Sequence, residues 1–447
     1  MFLRQSRVIL ANAWPMLIAQ LASMGMMVID TVLLGHFGTE DLAAVAVGSG
    51  IYVAIILALV GVAQAVSPTV AHLKGAGRDG DLAGALHQGF WLALFLSVPG
   101  ILCLLYPDPL LALSKIEPGV EVKMRSYLSL LAWGVPAALL YRTFYAFCIA
   151  VGQPRPLMAI SLCCTLAHGA LAGLLVTGRW GGEALGVLGC GISNAVIAWL
   201  AMIVGVAYLL TAAPLKRYRL AHGWKGPQWV EQRGLLRLGL PMGLSSFVEI
   251  SAFTLVALFV AQLGAPVVAG HRIVANLAGL CYMLPLSLAV ATLAQVGLAS
   301  GAGDLRLARH AAGAGLALAC LSSVVLGGLL WLFDYPLVAA YTSDPVVRDV
   351  GLSLIGYLAA YQVFDAVQTV AAHALRGYKI TFVPMLVHVG AFWGIGLGCG
   401  WWLAFRASSP MGVSGFWLAS LLSLGASALL LGALLWQASR RGARSFS

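Results

Sequence analysis

Charge is what this sequence lacks. Asp, Glu, Lys and Arg make up 9% of its 447 residues and hydrophobic residues 61%, against about 25% and about 45–50% in soluble globular chains. So little charge excludes a water-soluble domain and leaves a polytopic membrane protein. Other absences narrow the chemistry. There is no GxxxxGK[ST] loop to draw on ATP, no H-E-x-x-H, no G-x-S-x-G, and no haem or iron–sulfur spacing. Neither an enzyme nor a bound cofactor is expected. The eight cysteines, Cys103, Cys148, Cys163, Cys164, Cys190 and Cys281 among them, form no C-x-x-C pair and keep no histidine at ligand spacing. They read as small residues filling helix contacts rather than as a metal site.

What is present is a series of long apolar runs. Broken at charged or Gly/Pro-rich turns, they give twelve candidate spans near 8–34, 44–73, 86–106, 124–150, 157–178, 184–212, 233–263, 270–300, 309–331, 348–375, 381–405 and 411–437. The fold class expected is therefore an all-α polytopic membrane protein. MFLRQSRVILANAWPML meets no small-residue cleavage site and reads as a retained first span. An even number of spans puts both termini on one side. That side carries 18 of the 26 Lys and Arg, Arg376 being counted there, and the opposite loops carry six. Arg142 and Arg272 fall inside or at the edge of spans. The bias predicts cytoplasmic termini, and a basic excess spread over short loops predicts no nucleic-acid partner.

The longest polar interruption, APLKRYRLAHGWKGPQWVEQR, reads as a cytoplasmic linker at 213–232. It separates a six-helix bundle at 1–212 from a second at 233–447, which ends in a basic tail. An internal repeat supports the division. At an offset of 226, Pro15-Met16 falls on Pro241-Met242, Gly38 on Gly264, and Gly75-Ala76-Gly77 on Gly301-Ala302-Gly303. At 227, Pro109-Leu110 falls on Pro336-Leu337 and Pro118 on Pro345. Two pseudo-symmetric bundles with a cavity between them make a transporter architecture.

Three of the sixteen acidic residues lie well inside spans: Asp30, Glu249 and Asp365. An acid near the middle of a membrane helix costs about 2.5–3.5 kcal/mol, and such residues mark ion or proton paths. Ser245, one turn before Glu249, shares its face, and Ser246 and Ser251 lie nearby. Tyr361 and Gln368 share the face of Asp365. A tyrosine hydroxyl and two carboxylates from different helices suit a monovalent cation, Na+ being a candidate at Glu249, Tyr361 and Asp365; the same groups can instead hold a proton. Asp30, with Thr31 beside it and Asn194 within reach, reads as a second proton or substrate site. Arg142 either pairs with an acid or snorkels. His168, His373 and His388 read as helix-contact histidines or proton carriers. Asn276, Phe253, Phe364, Tyr141, Tyr145, Phe247 and Met24, Met26 and Met27 suit the wall of a site for greasy cations, and equally an ordinary membrane core. A cavity glutamine has no assigned equivalent at position 278, which is Ala278.

These residues resemble a known family. PMLIAQLASMGMMVIDTVLLGHFGTEDLAAVAVG is similar to the first span of the multidrug and toxic compound extrusion (MATE) transporters, in their NorM-like branch. VAQAVSPTVAHLKGAG, PMGLSSFVEISAFTLVALFVAQLG, AGHRIVANLAGLCYMLP and ALRGYKITFVP follow in the family's order. The resemblance implies two six-helix bundles and export of cationic drugs and dyes coupled to inward Na+ or H+, in a bacterial inner membrane. It also implies that Glu249, Tyr361, Asp365 and Asp30 are the cation-binding residues. The stretch AGHRIVANLAG departs at Arg272, where the family more often has a neutral residue, and a cation there would alter substrate access. A lipid-linked oligosaccharide flippase of related fold is the alternative. It needs several interior Arg or Lys for pyrophosphate, whereas these spans hold three acids. Membrane lipid and small cationic molecules are the partners expected, and a monomer suffices.

Overall fold

The computed structural model describes residues 1–111, 117–179, 181–220 and 223–441. Lys115 and Arg444, part of the charge bias above, lie outside them. Among the described residues there is no strand, and twelve helices are long: α1 (Phe2–Phe37), α2 (Thr39–Ala63), α3 (Leu82–Leu105), α4 (Pro118–Ala150), α5 (Arg155–Thr177), α6 (Val187–Thr211), α7 (Trp229–Val260), α8 (Ala265–Gly301), α9 (Leu305–Leu332), α10 (Pro345–Gly377), α11 (Phe382–Phe405) and α12 (Val413–Arg441). Helices are the expected solution, because an apolar solvent leaves the backbone to satisfy its own hydrogen bonds. Eleven of them are long and apolar enough to cross a membrane. The exception is α4, which carries Arg142 and several Ser and Tyr residues. Its polarity has a structural reason: α4 packs against α2, α3 and α6, and Met124, Tyr127, Leu128, Leu131 and Leu139 sit within the core formed there. A helix surrounded by protein needs no continuous lipid-facing surface.

The repeated residues punctuate the helices. Pro118 and Pro345 each open a 33-residue helix, α4 and α10, where a missing N–H costs nothing. Gly38 and Gly264 precede α2 and α8. Gly77 follows a short helix, Val66–Gly75, that comes after α2, and Gly303 follows the end of α8 at Gly301; their φ values are 71° and 74°, a left-handed conformation that glycine adopts without penalty. α10 packs with α8, α9 and α12, taking the place in its half that α4 takes in the other.

The chain forms two compact units, Pro15–Gly243 and Met1–Trp14 with Leu244–Ser447. The cuts fall inside α1 and α7, not at the polar linker expected at 213–232. Packing explains both. Ile9 and Ala13 lie in an apolar cluster with Leu288, Ala314 and Val370. Gly239 and Gly243 of α7 lie against the α2 backbone, so that a Cβ on either would come within 2.5 Å of the Val62 carbonyl or 2.6 Å of the Ala58 carbonyl. The linker itself is strapped to α3: His87 Nε2 lies 2.8 Å from the Leu220 carbonyl, and the Gln88 and Gln232 side chains bond each other at 2.9 Å.

Asp41, placed in a loop by the sequence reading, is buried. Its Oδ1 accepts from the Val187 N–H at 3.0 Å, closing the N-terminus of α6, and its Oδ2 takes Lys123 Nζ at 2.6 Å. Asp41→Ala leaves a buried N–H unpaired and Lys123 with Glu40 alone, 3.0 Å away. It is expected to cost about 1–3 kcal/mol, read as a lower thermal unfolding midpoint in detergent, while Asp41→Asn retains part of the loss.

Candidate functional site

In the unit containing Leu244–Ser447, α10 presents Tyr361, Asp365, Gln368 and Arg376 at i, i+4, i+7 and i+15, with Thr369 and His373 alongside. All six are buried. Gln368 Nε2 donates to Asp365 Oδ1 at 3.1 Å and to Thr369 Oγ1 at 2.9 Å. Asp365 Oδ2 is buried and has no hydrogen-bond partner among the described residues. His373 Nδ1 meets the Thr369 carbonyl at 2.8 Å, and its Nε2 meets Arg376 Nη1 at 3.2 Å. A ring nitrogen against a carbonyl must donate and one against a guanidinium must accept, so this arrangement fixes His373 as the neutral imidazole with its proton on Nδ1. From α7, Glu249 comes within electrostatic reach of Asp365 and Arg376. Tyr282 of α8 and Tyr361 lie within electrostatic reach of both carboxylates.

Glu249, Tyr361 and Asp365 are thus brought together as expected, and the structure adds Tyr282, Thr369, His373 and Arg376. Arg376 is a correction. Counted among cytoplasmic loop cations, it lies inside α10 with 8% of its surface exposed. Ser251 is another: it accepts from Trp393 Nε1 at 3.0 Å and donates to the Val248 carbonyl, turned toward α11. Arg376→Gln removes a buried guanidinium that bonds His373 and lies within electrostatic reach of Glu249. It is expected to destabilise the protein by about 1.5–3 kcal/mol, measured by thermal unfolding, with Arg376→Lys losing less.

The unit Pro15–Gly243 holds a second cluster. Asp30 of α1 is 5% exposed, and His168 and Ser193 are fully buried. His168 Nε2 lies 2.9 Å from Asp30 Oδ1, and Asn194 Nδ2 donates to Asp30 Oδ2 at 2.8 Å. Ser193 Oγ lies 2.9 Å from His168 Nδ1. Asn194 reaches Asp30 as expected, and His168 proves to be its direct partner. Thr31 does not join them: its hydroxyl turns back to the Met27 carbonyl at 2.8 Å.

The wall candidates are scattered. Phe253 and Phe364 are 44% and 40% exposed, and Asn276 and Arg272 are exposed on α8. Tyr141 is half-buried beside Phe144. Arg142 lies 5.5 Å from the Tyr145 ring centre. Ala278 belongs to an apolar core cluster.

Two repeated sets of membrane-spanning helices, each enclosing buried acids, define the architecture of a secondary transporter. The chain belongs to the MatE family, whose profile matches residues 15–174 and 241–402; the two matches begin 226 residues apart, the offset of the internal repeat. The chain is 52% identical over 434 residues to a protein of Aromatoleum aromaticum named "Probable multidrug resistance protein NorM", covering 96% of this chain and 94% of the relative. Multidrug resistance protein MdtK of Yersinia pseudotuberculosis is 34% identical over 433 residues, 96% of this chain and 95% of its own. The crystal structure of the eukaryotic MATE transporter AtDTX14 shares the fold, with a TM-score of 0.90, 21% identity and 99% of each chain covered.

Proposed function

We propose that this protein is a secondary multidrug efflux antiporter of a bacterial inner membrane, with both termini in the cytoplasm. It exports organic cations in exchange for Na+ or H+ by alternating access. One observation carries the reading: the buried Asp365 with an unpartnered oxygen, and the half-buried Glu249 within electrostatic reach of it and of the buried Arg376. With both acids ionised and His373 neutral, that cluster holds a net charge of about one negative, which one monovalent cation balances. Na+ would take the Asp365 oxygen with Glu249 and Tyr361, whereas a proton would bond to a carboxylate directly. An organic cation and the coupling ion then compete for the same charge. Each binding weakens the other, which is the coupling antiport requires. The multidrug names of the relatives support drug export.

The flippase alternative is weaker. It needs several free cations for a pyrophosphate, yet Arg376 is bonded to His373 and drawn to Glu249, and Arg272 is exposed. Proteoliposomes loaded with ethidium, with an imposed Na+ or pH gradient, test the reading. Dye efflux driven by one gradient supports antiport. Lipid-linked oligosaccharide turnover without dye efflux contradicts it. A single chain carries both clusters, so no second copy is required.

A further inference from the structure

The two acid clusters differ in one respect that bears on ion choice. At Asp365 one carboxylate oxygen accepts from Gln368 and the other is free. At Asp30 both oxygens are taken by N–H donors from two other helices, His168 on α5 and Asn194 on α6. Neither donor turns away easily. Asn194 Nδ2 also bonds the Cys190 carbonyl at 3.0 Å, and the far ring nitrogen of His168 is held by Ser193. A metal cation binds oxygen lone pairs and is repelled by the hydrogens of such donors. To enter here it must displace a charge-assisted hydrogen bond, about twice as strong as a neutral one. The other ionisable side chains gathered there are Tyr127 of α4, Tyr52 of α2 and Cys190, and the buried Asp41, held by Lys123, lies within electrostatic reach of Cys190.

We propose that His168 is a selectivity-determining residue that closes the Asp30 cluster to metal cations, confining any Na+ to the Glu249–Asp365 cluster. The imidazole stands on the oxygen that an ion would need. This inference deepens the ion-coupled reading above, but its test reads ion binding and not transport, so the two fail separately.

The test is thermal unfolding of the purified full-length chain in NaCl against choline chloride at equal ionic strength. The background is Glu249→Gln with Asp365→Asn, which removes the other cluster. This double variant is expected to show no Na+-specific shift. Adding His168→Asn, which offers a carbonyl oxygen in place of the imidazole, is expected to create a rise of about 2–4 °C, and adding Asp30→Asn to abolish that rise. His168→Gln replaces His168→Asn if the latter unfolds in choline. Two results overturn the proposal: a Na+ shift in the double variant that Asp30→Asn removes, or no shift on replacing His168. A wild type indifferent to Na+ would count against Na+ at Glu249–Asp365 and would leave these arms fully informative.

Discussion

Glu249→Gln and Asp365→Asn are each expected to abolish ion-driven dye efflux while leaving a folded protein. Both substitutions keep the size of the side chain and one acceptor oxygen, turn the other oxygen into an N–H donor, and remove the charge. With both acids ionised and Arg376 in place, the wild-type cluster is short of one positive charge, and each variant then is neutral. A cation in contact with a unit charge gains about 4 kcal/mol at an effective dielectric of about 20, and each 1.4 kcal/mol is a factor of about ten in affinity. The loss of cation affinity should therefore be between two and three decades. The check is initial efflux rate in proteoliposomes beside the unfolding midpoint of each variant. A variant that unfolds normally yet loses efflux carries the coupling charge; a variant that transports like wild type does not.

The second large effect is expected where α2 meets α7. A Cβ on Gly61 would stand 2.7 Å from Gly243 Cα and 3.1 Å from both the Gly243 nitrogen and the Met242 carbonyl. Every obstacle is backbone, so no rotamer change relieves the clash. Gly239 and Gly243 supply the other side of the crossing, four residues apart as in close-packed membrane helices. Gly61→Leu must push the helices apart or leave them unpaired. It is expected to cost at least the roughly 1–3 kcal/mol of an overpacked core, and to lower the yield of monodisperse protein severely. Gly328 on α9 is the control: nothing lies within 4 Å of its Cβ position, and Gly328→Ala should be neutral or slightly stabilising.

Much of this was legible in the sequence. The spans were set by apolar run length, and the repeat showed in Pro15 and Pro241, Gly38 and Gly264, and Pro118 and Pro345, because these residues begin or kink helices in both halves. Glu249 and Asp365 stood out because charge inside an apolar run is costly. The misses share a cause. Arg376 lies near the end of its run beside Gly377 and Lys379, where composition alone reads as a loop; only its position three turns beyond Asp365 on one helical face signalled the buried network. Tyr282 and Thr369 gave no signal, and His168 stood out only as a histidine inside a span, since polar residues of those types are common in membrane helices and the Asp30 that His168 meets comes from another helix. The cut through α1 and α7 was hidden as well. Long helices look continuous in sequence, and what divides them is which neighbours Ile9 and Gly243 pack against.

The central claim is that drug and coupling ion share one negative charge at Glu249 and Asp365. Equilibrium binding of labelled tetraphenylphosphonium to the purified protein, titrated with NaCl at fixed pH and with acid at fixed ionic strength, tests it most directly. Competition is predicted: one of the two ions should raise the apparent Kd in proportion to its concentration, and the effect should vanish in Glu249→Gln and Asp365→Asn. Binding indifferent to both ions, or competition that survives in both variants, would contradict it.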